Sequence, residues 1–204
     1  MLRRFFLSQF TAATAALGIG QAATNGAPSP RFAAARHEKD DWFDQIPGRH
    51  RVVFDTWSVA NFPDAIRFAN NYIRVNKEEY GLSDRDLAVV MIVRHRTAPF
   101  GYSDALWAKY GKVFSERLEL KQTVTANPHA AQLTALVKQG MHLGVCNLTT
   151  RSISRTIADQ TGGSADEIHK ELTSNALGNS HFVPAGIVAA TRAQERGYSV
   201  VAIG

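Results

Sequence analysis

Leu87-Ala-Val-Val-Met-Ile-Val93 is the stretch whose reading decides the fold. It is a continuous apolar run and reads as a strand buried on both faces. Strands of that kind belong to parallel sheets covered by helices on each side.

Working outward, the same logic repeats. Upstream, Pro63 to Tyr80 carries Ile66, Ala69 and Ile73 at helical spacing, with Gly81 as a natural stop. Before it, Arg51-Val-Val-Phe-Asp-Thr-Trp57 reads as another buried strand. Downstream, Ser103 to Tyr110 reads as a short helix and Pro128 to Lys138 as a second. Met141 to Val145 is a third strand, followed by a helix from Thr150 to Gln160 that ends at Gly162-Gly163. Ser164-Ala-Asp-Glu167 has the spacing of a capping box, and Pro184 to Arg196 reads as a closing helix before a last strand, Tyr198 to Ile203. Strands alternating with helices imply an α/β fold. The expectation is a doubly wound, mainly parallel sheet of about five strands in a Rossmann-like or flavodoxin-like three-layer sandwich.

The N-terminus carries a different message. Arg3 and Arg4 precede Phe5, Phe6 and Leu7, an apolar small-residue stretch runs from Phe10 to Gly20, and Ala22, Ala23 and Ala27 offer cleavage points. That order is a twin-arginine export signal over residues 1–27, which implies a periplasmic protein. The apolar run falls short of the about 20 residues of a membrane span. Residues 28–49, opened by Pro28 and Pro30 and carrying mixed charge, read as a poorly ordered linker on which Trp42 and Phe43 are docking candidates. Residues 50–204 are then one ordinary domain. The net charge of +5 includes the signal arginines, and no Lys/Arg cluster gives a nucleic-acid footprint.

Cys146 is the only cysteine, so no intrachain disulfide forms. It leaves a strand and precedes a helix, whose free N–H groups favour a thiolate. In open α/β sheets ligands bind beyond the carboxyl ends of the strands. That rule draws together Asp55, Trp57 and Ser58 after the first strand, Arg94, His95 and Arg96 after the second, and Cys146 with Asn147 after the third. His95 is the better partner for Cys146. His142 shares a strand face with it but lies roughly 13 Å away at about 3.3 Å per residue. Arg94, Asn147 and Trp107 are ligand-binding candidates. No H-x-x-x-H or C-x-x-C motif marks a metal site, the only Gly-x-Gly lies in the signal, and no motif identifies a cofactor.

Three segments together resemble the DsrE/DsrF-like family of small sulfur-handling proteins: Val93 to Tyr110, Gly144-Val-Cys-Asn147, and Val183-Pro-Ala-Gly-Ile-Val through Gly197-Tyr198. The resemblance covers roughly residues 51–203. It implies a sandwich assembled as a trimer or hexamer, and a persulfide carried on a cysteine at the position of Cys146 with a donor or acceptor protein as partner. The family's relay members are cytoplasmic, whereas this chain carries an export signal. The alternative from another class is a non-catalytic oligomer that binds a metal, haem or small ligand, with Cys146 ligating or structural.

Overall fold

A computed structural model describes residues 33–204, and residues 1–27, read above as an export signal, lie outside the described residues. The order is α1 (Trp42–Gln45), β1 (His50–Thr56), α2 (Phe62–Tyr80), β2 (Leu87–Val93), α3 (Asp104–Arg117) and α4 (Ala130–Lys138). It continues with β3 (His142–Cys146), α5 (Asn147–Thr161), α6 (Ala165–Ser174), β4 (Ser180–Val183), α7 (Gly186–Gln194) and β5 (Ser199–Ile203).

The five strands form one parallel sheet in the order β4-β3-β2-β1-β5. All seven residues of β2 are buried, as their continuous apolar pattern requires. Side chains alternate between two cores. Val52, Phe54, Val89, Met91, Leu143 and Val145 face the side covered by α2 to α6. Val53, Val90, Ile92 and Val183 face α7. The reason lies in the winding. From β1 to β4 the chain steps in one direction, so its crossovers stack on one face. The last crossover reverses, and α7 returns across the other face to place β5 beyond β1. The fold is therefore the doubly wound α/β sandwich that the alternating pattern implies.

One short helix leaves the second face thinly covered, and the segment read as a poorly ordered linker fills the gap. Glu38–Asp40 forms a 3₁₀ turn and α1 follows it. Phe43 is fully buried against Tyr198, whose hydroxyl donates to the Phe43 carbonyl at 2.7 Å. Asp44 faces the buried Arg196 guanidinium at 3.3 Å, and Asp40 faces Arg192 at 3.8 Å. Within residues 33–49 the linker expectation is thus corrected: Trp42, Phe43 and Ile46 are apolar, and they act as the missing lid of the second core.

Other boundaries moved for physical reasons. α2 stops where Gly81 turns left-handed, at a φ of 65°. α3 continues seven residues past Tyr110, because Val113 and Phe114 extend the apolar stripe into the core. α5 begins directly after Cys146, with no intervening loop. Ser164 caps α6 by accepting from the Glu167 amide.

Candidate functional site

The carboxyl ends of β1, β2 and β3 do lie side by side, yet the structure divides the predicted residues among separate places. Asp55 ends buried near the top of β1. Arg94, just past β2, grips it in a two-pronged ion pair at 2.6 and 2.9 Å and lies over the Trp57 ring at 4.5 Å. The Arg94 side chain also fills the space where any side chain at Gly186 would stand. Arg94 therefore staples β1, β2 and the start of α7, and the ligand-binding expectation for it is corrected.

Trp107 is corrected as well. It is fully buried, its Nε1 donates to the Pro99 carbonyl at 3.0 Å, and its ring packs against Phe100 and Phe114. An indole with its one donor satisfied inside the core has nothing left to offer a ligand.

His95 does not partner Cys146. It is exposed, in the left-handed region at a φ of 53°, and lines a crevice of about 580 Å³ with Trp57, Ser58, Arg96, Leu118 and Gly204. Arg96 pairs there with Glu119, itself at a φ of 54°. The crevice sits between the ends of β1 and β5, the point at which the strand order reverses and where open α/β sheets commonly receive ligands.

Cys146 is 5% exposed. Its Sγ accepts a hydrogen bond from the Thr149 hydroxyl at 3.3 Å. Its carbonyl accepts from Thr150, whose oxygen in turn accepts from the buried Tyr102 phenol at 2.9 Å. Burial raises the Tyr102 pKa, so the phenol stays protonated and donating. The cysteine thus sits at the first turn of a fifteen-residue helix in a rigid hydroxyl network.

Asn147 opens outward. Its Oδ1 accepts from His169 at 2.6 Å, and the residue lines a cavity of about 440 Å³ with Lys39, Trp42, His181, Phe182 and Pro184. The walls come from the docked N-terminal segment on one side and from the ends of β3 and β4 on the other. His142, at the other end of β3, turns to the same sheet face. Its Nδ1 meets His181 Nε2 at 2.9 Å, and the ring centroids are 5.2 Å apart, the spacing of a head-on N–H···N bond. In that arrangement one facing nitrogen donates and the other accepts, so the pair is committed to itself and does not converge on a common ion. Among the described residues no group of three or more His, Cys, Asp or Glu side chains is placed to hold a metal.

His181 also lies flat on Trp42, with centroids 4.0 Å apart. Burial and the neighbouring His142 push its pKa down from 6.5 to about 4. Burial lowers His142 in the same direction. The unfolded chain therefore takes up protons that the folded chain refuses. Stability falls as the pH drops from about 6.5 towards 4 and the His181 contribution then levels off. Melting temperature measured across that window reads the loss, and His181→Phe flattens part of the slope. An unchanged slope in that variant would show that the pair is not its source.

Lys39, His169 and His181 are the site residues that sequence reading did not pick out, and Trp42 stands out in it only as a docking candidate. Trp42 and Lys39 lie in a stretch whose proline and charge content resembles a tether. His181 sits in a four-residue strand with no pattern strong enough to announce it. No protein-family model, curated protein or solved structure matches this chain.

Proposed function

We propose that this chain is an exported, sulfur-handling α/β protein of the DsrE/DsrF-like kind, in which Cys146 accepts a sulfane sulfur and holds it as a persulfide. The observation that carries the reading is the placement of the one cysteine. It ends a central-sheet strand and begins a long helix, with a hydroxyl already donating to its sulfur. The helix's first-turn N–H groups and the Thr149 hydroxyl favour negative charge on sulfur, the state in which a thiolate attacks and a persulfide rests. In the transfer the thiolate sulfur bonds to the outer sulfur of the donor, whose own bond to that sulfur breaks. The leaving group departs with the electron pair.

An oligomer belongs to the same reading. A groove of about 530 Å³ between α2 and the outer strand β5 leaves Phe68 and Val201 partly exposed, a surface suited to a subunit contact. No helix among the described residues is long and apolar enough to cross a membrane. The switch-point crevice around His95 supports the alternative, a non-catalytic small-ligand-binding protein in which Cys146 is structural.

The test is mass measurement of the signal-free protein after exposure to inorganic polysulfide. The expected result is one added sulfur, removed by a reductant and absent in Cys146→Ser. Because the thiol is 5% exposed, alkylation in the native state is slower than in the unfolded state. A wild-type protein that takes up no sulfur overturns the reading and leaves the ligand-binding alternative.

A further inference from the structure

The cavity beside Asn147 has a composition that selects for charge. Its six lining residues are Lys39, Trp42, Asn147, His181, Phe182 and Pro184, and none of them is acidic. The only formal charge on its wall is the Lys39 ammonium. Asn147 adds an amide. Asp40, next to Lys39 in the chain, is buried and faces Arg192, and the exposed Glu38 and Asp41 are not part of the lining. His181 is kept neutral by burial and by its bond to His142, so it offers an imidazole without a charge. At about 440 Å³ the cavity is within the usual range for small-molecule sites, about 300–1,000 Å³.

Its position relative to the cysteine is equally specific. Asn147 immediately follows Cys146. Pro184 immediately follows Val183, the cross-strand partner of Cys146. The Leu148 amide donates to the Pro184 carbonyl at 3.2 Å, closing the floor between the two strand ends. The cavity thus abuts the backbone that carries the thiol, whereas the crevice at His95 is built from the ends of β1, β2 and β5 and the residues after α3.

We propose that this cavity receives the sulfur donor, that the donor is a small sulfane-bearing oxyanion of the thiosulfate class, and that Lys39 on the docked N-terminal segment is its charged anchor. The inference rests on the Cys146 reading and adds the substrate class. The step balances without an outside oxidant or reductant. The Cys146 thiolate bonds to the outer sulfur of thiosulfate, the sulfur–sulfur bond of thiosulfate breaks, and sulfite leaves with the bonding pair. Charge is conserved, one anion and one dianion on each side. Lys39 acts on binding only, since its ammonium neutralises the oxyanion end and leaves the outer sulfur free.

The experiment uses the signal-free protein, its Cys146→Ser form and Lys39→Glu. Thiosulfate titrated into Cys146→Ser is expected to shift the amide resonances of Lys39, Trp42, Asn147 and His181 saturably, and added salt weakens the effect. In protein with Cys146 intact, Lys39→Glu raises the thiosulfate concentration for half-maximal sulfur uptake by about tenfold, a size set by reversing one exposed charge. Alkylation by a neutral maleimide stays within about twofold, because a reagent without charge does not need the anchor. Shifts elsewhere, or a Lys39→Glu protein that takes sulfur from thiosulfate as readily as the parent, overturn the inference and leave the Cys146 reading intact. Saturable shifts at the cavity in a protein that takes up no sulfur from either donor support the anion site and overturn the carrier reading. A Lys39→Glu protein also slowed towards the neutral maleimide has an altered cysteine pocket and overturns Lys39 as an anchor.

Discussion

Asp55→Ala lowers unfolding free energy by about 3 kcal/mol, the low end of the range for breaking a buried ion pair, because the arginine left behind retains some solvent contact. Asp55 is 6% exposed at its side chain and Arg94 19%. The two-pronged geometry, with distances of 2.6 and 2.9 Å, marks a pair held in one arrangement. Removing the carboxylate strands a guanidinium between β1, β2 and α7, pinned by the Trp57 ring and by Gly186. Urea unfolding of protein lacking residues 1–27 measures the loss. Arg94→Met in the same background recovers part of it, since the stranded charge goes too. A loss below about 1 kcal/mol would show that the pair behaves as a surface pair, and that the strand ends are held by packing alone.

Trp107→Ala costs more, about 3–5 kcal/mol, the usual range for emptying a large aromatic site in a core. The ring is fully buried beside Phe100 and Phe114, and the Pro99 carbonyl loses its donor at the same time. The same unfolding measurement separates the two roles proposed for this residue. A ligand-binding tryptophan in a pocket wall would cost under about 1 kcal/mol in the free protein, as surface changes do.

What the sequence reveals follows from how each signal is encoded. β2 is legible because seven apolar residues have only one comfortable setting. α2 is legible because Pro63 and Gly81 bracket a helical stripe. β4 is not legible: Ser180–Val183 is short, half-exposed and stopped by Pro184, and only its pairing with β3 makes it a strand. The order of the docked segment is missed for a related reason, although Trp42 and Phe43 stand out as docking candidates. Composition averages Pro28, Pro30 and the charges, while the fold uses Phe43, Ile46 and the two carboxylates Asp40 and Asp44.

The site shows the same split. Placing Cys146 at a strand-to-helix junction needs only local pattern, and the structure has it there. Pairing His95 with it needs the direction in which a loop turns. The left-handed residue at His95 sends that side chain towards β1 and β5 instead. Local pattern also cannot see that Arg94 is already spoken for, because Asp55 lies 39 residues earlier.

The docked N-terminal segment also orders events in time. Phe43 leaves the ribosome early, but the hydroxyl that fixes its carbonyl belongs to Tyr198, 155 residues later. Arg192 and Arg196, which face Asp40 and Asp44, are equally late, and β1 gains its second neighbour only when β5 emerges. The second core is thus closed by the first and last elements of the described domain meeting, and a chain that lacks α7 and β5 has no way to finish it. Contacts of such long sequence separation form slowly. The domain completes itself only once α7 and β5 have been made, so every earlier intermediate has its second apolar face open.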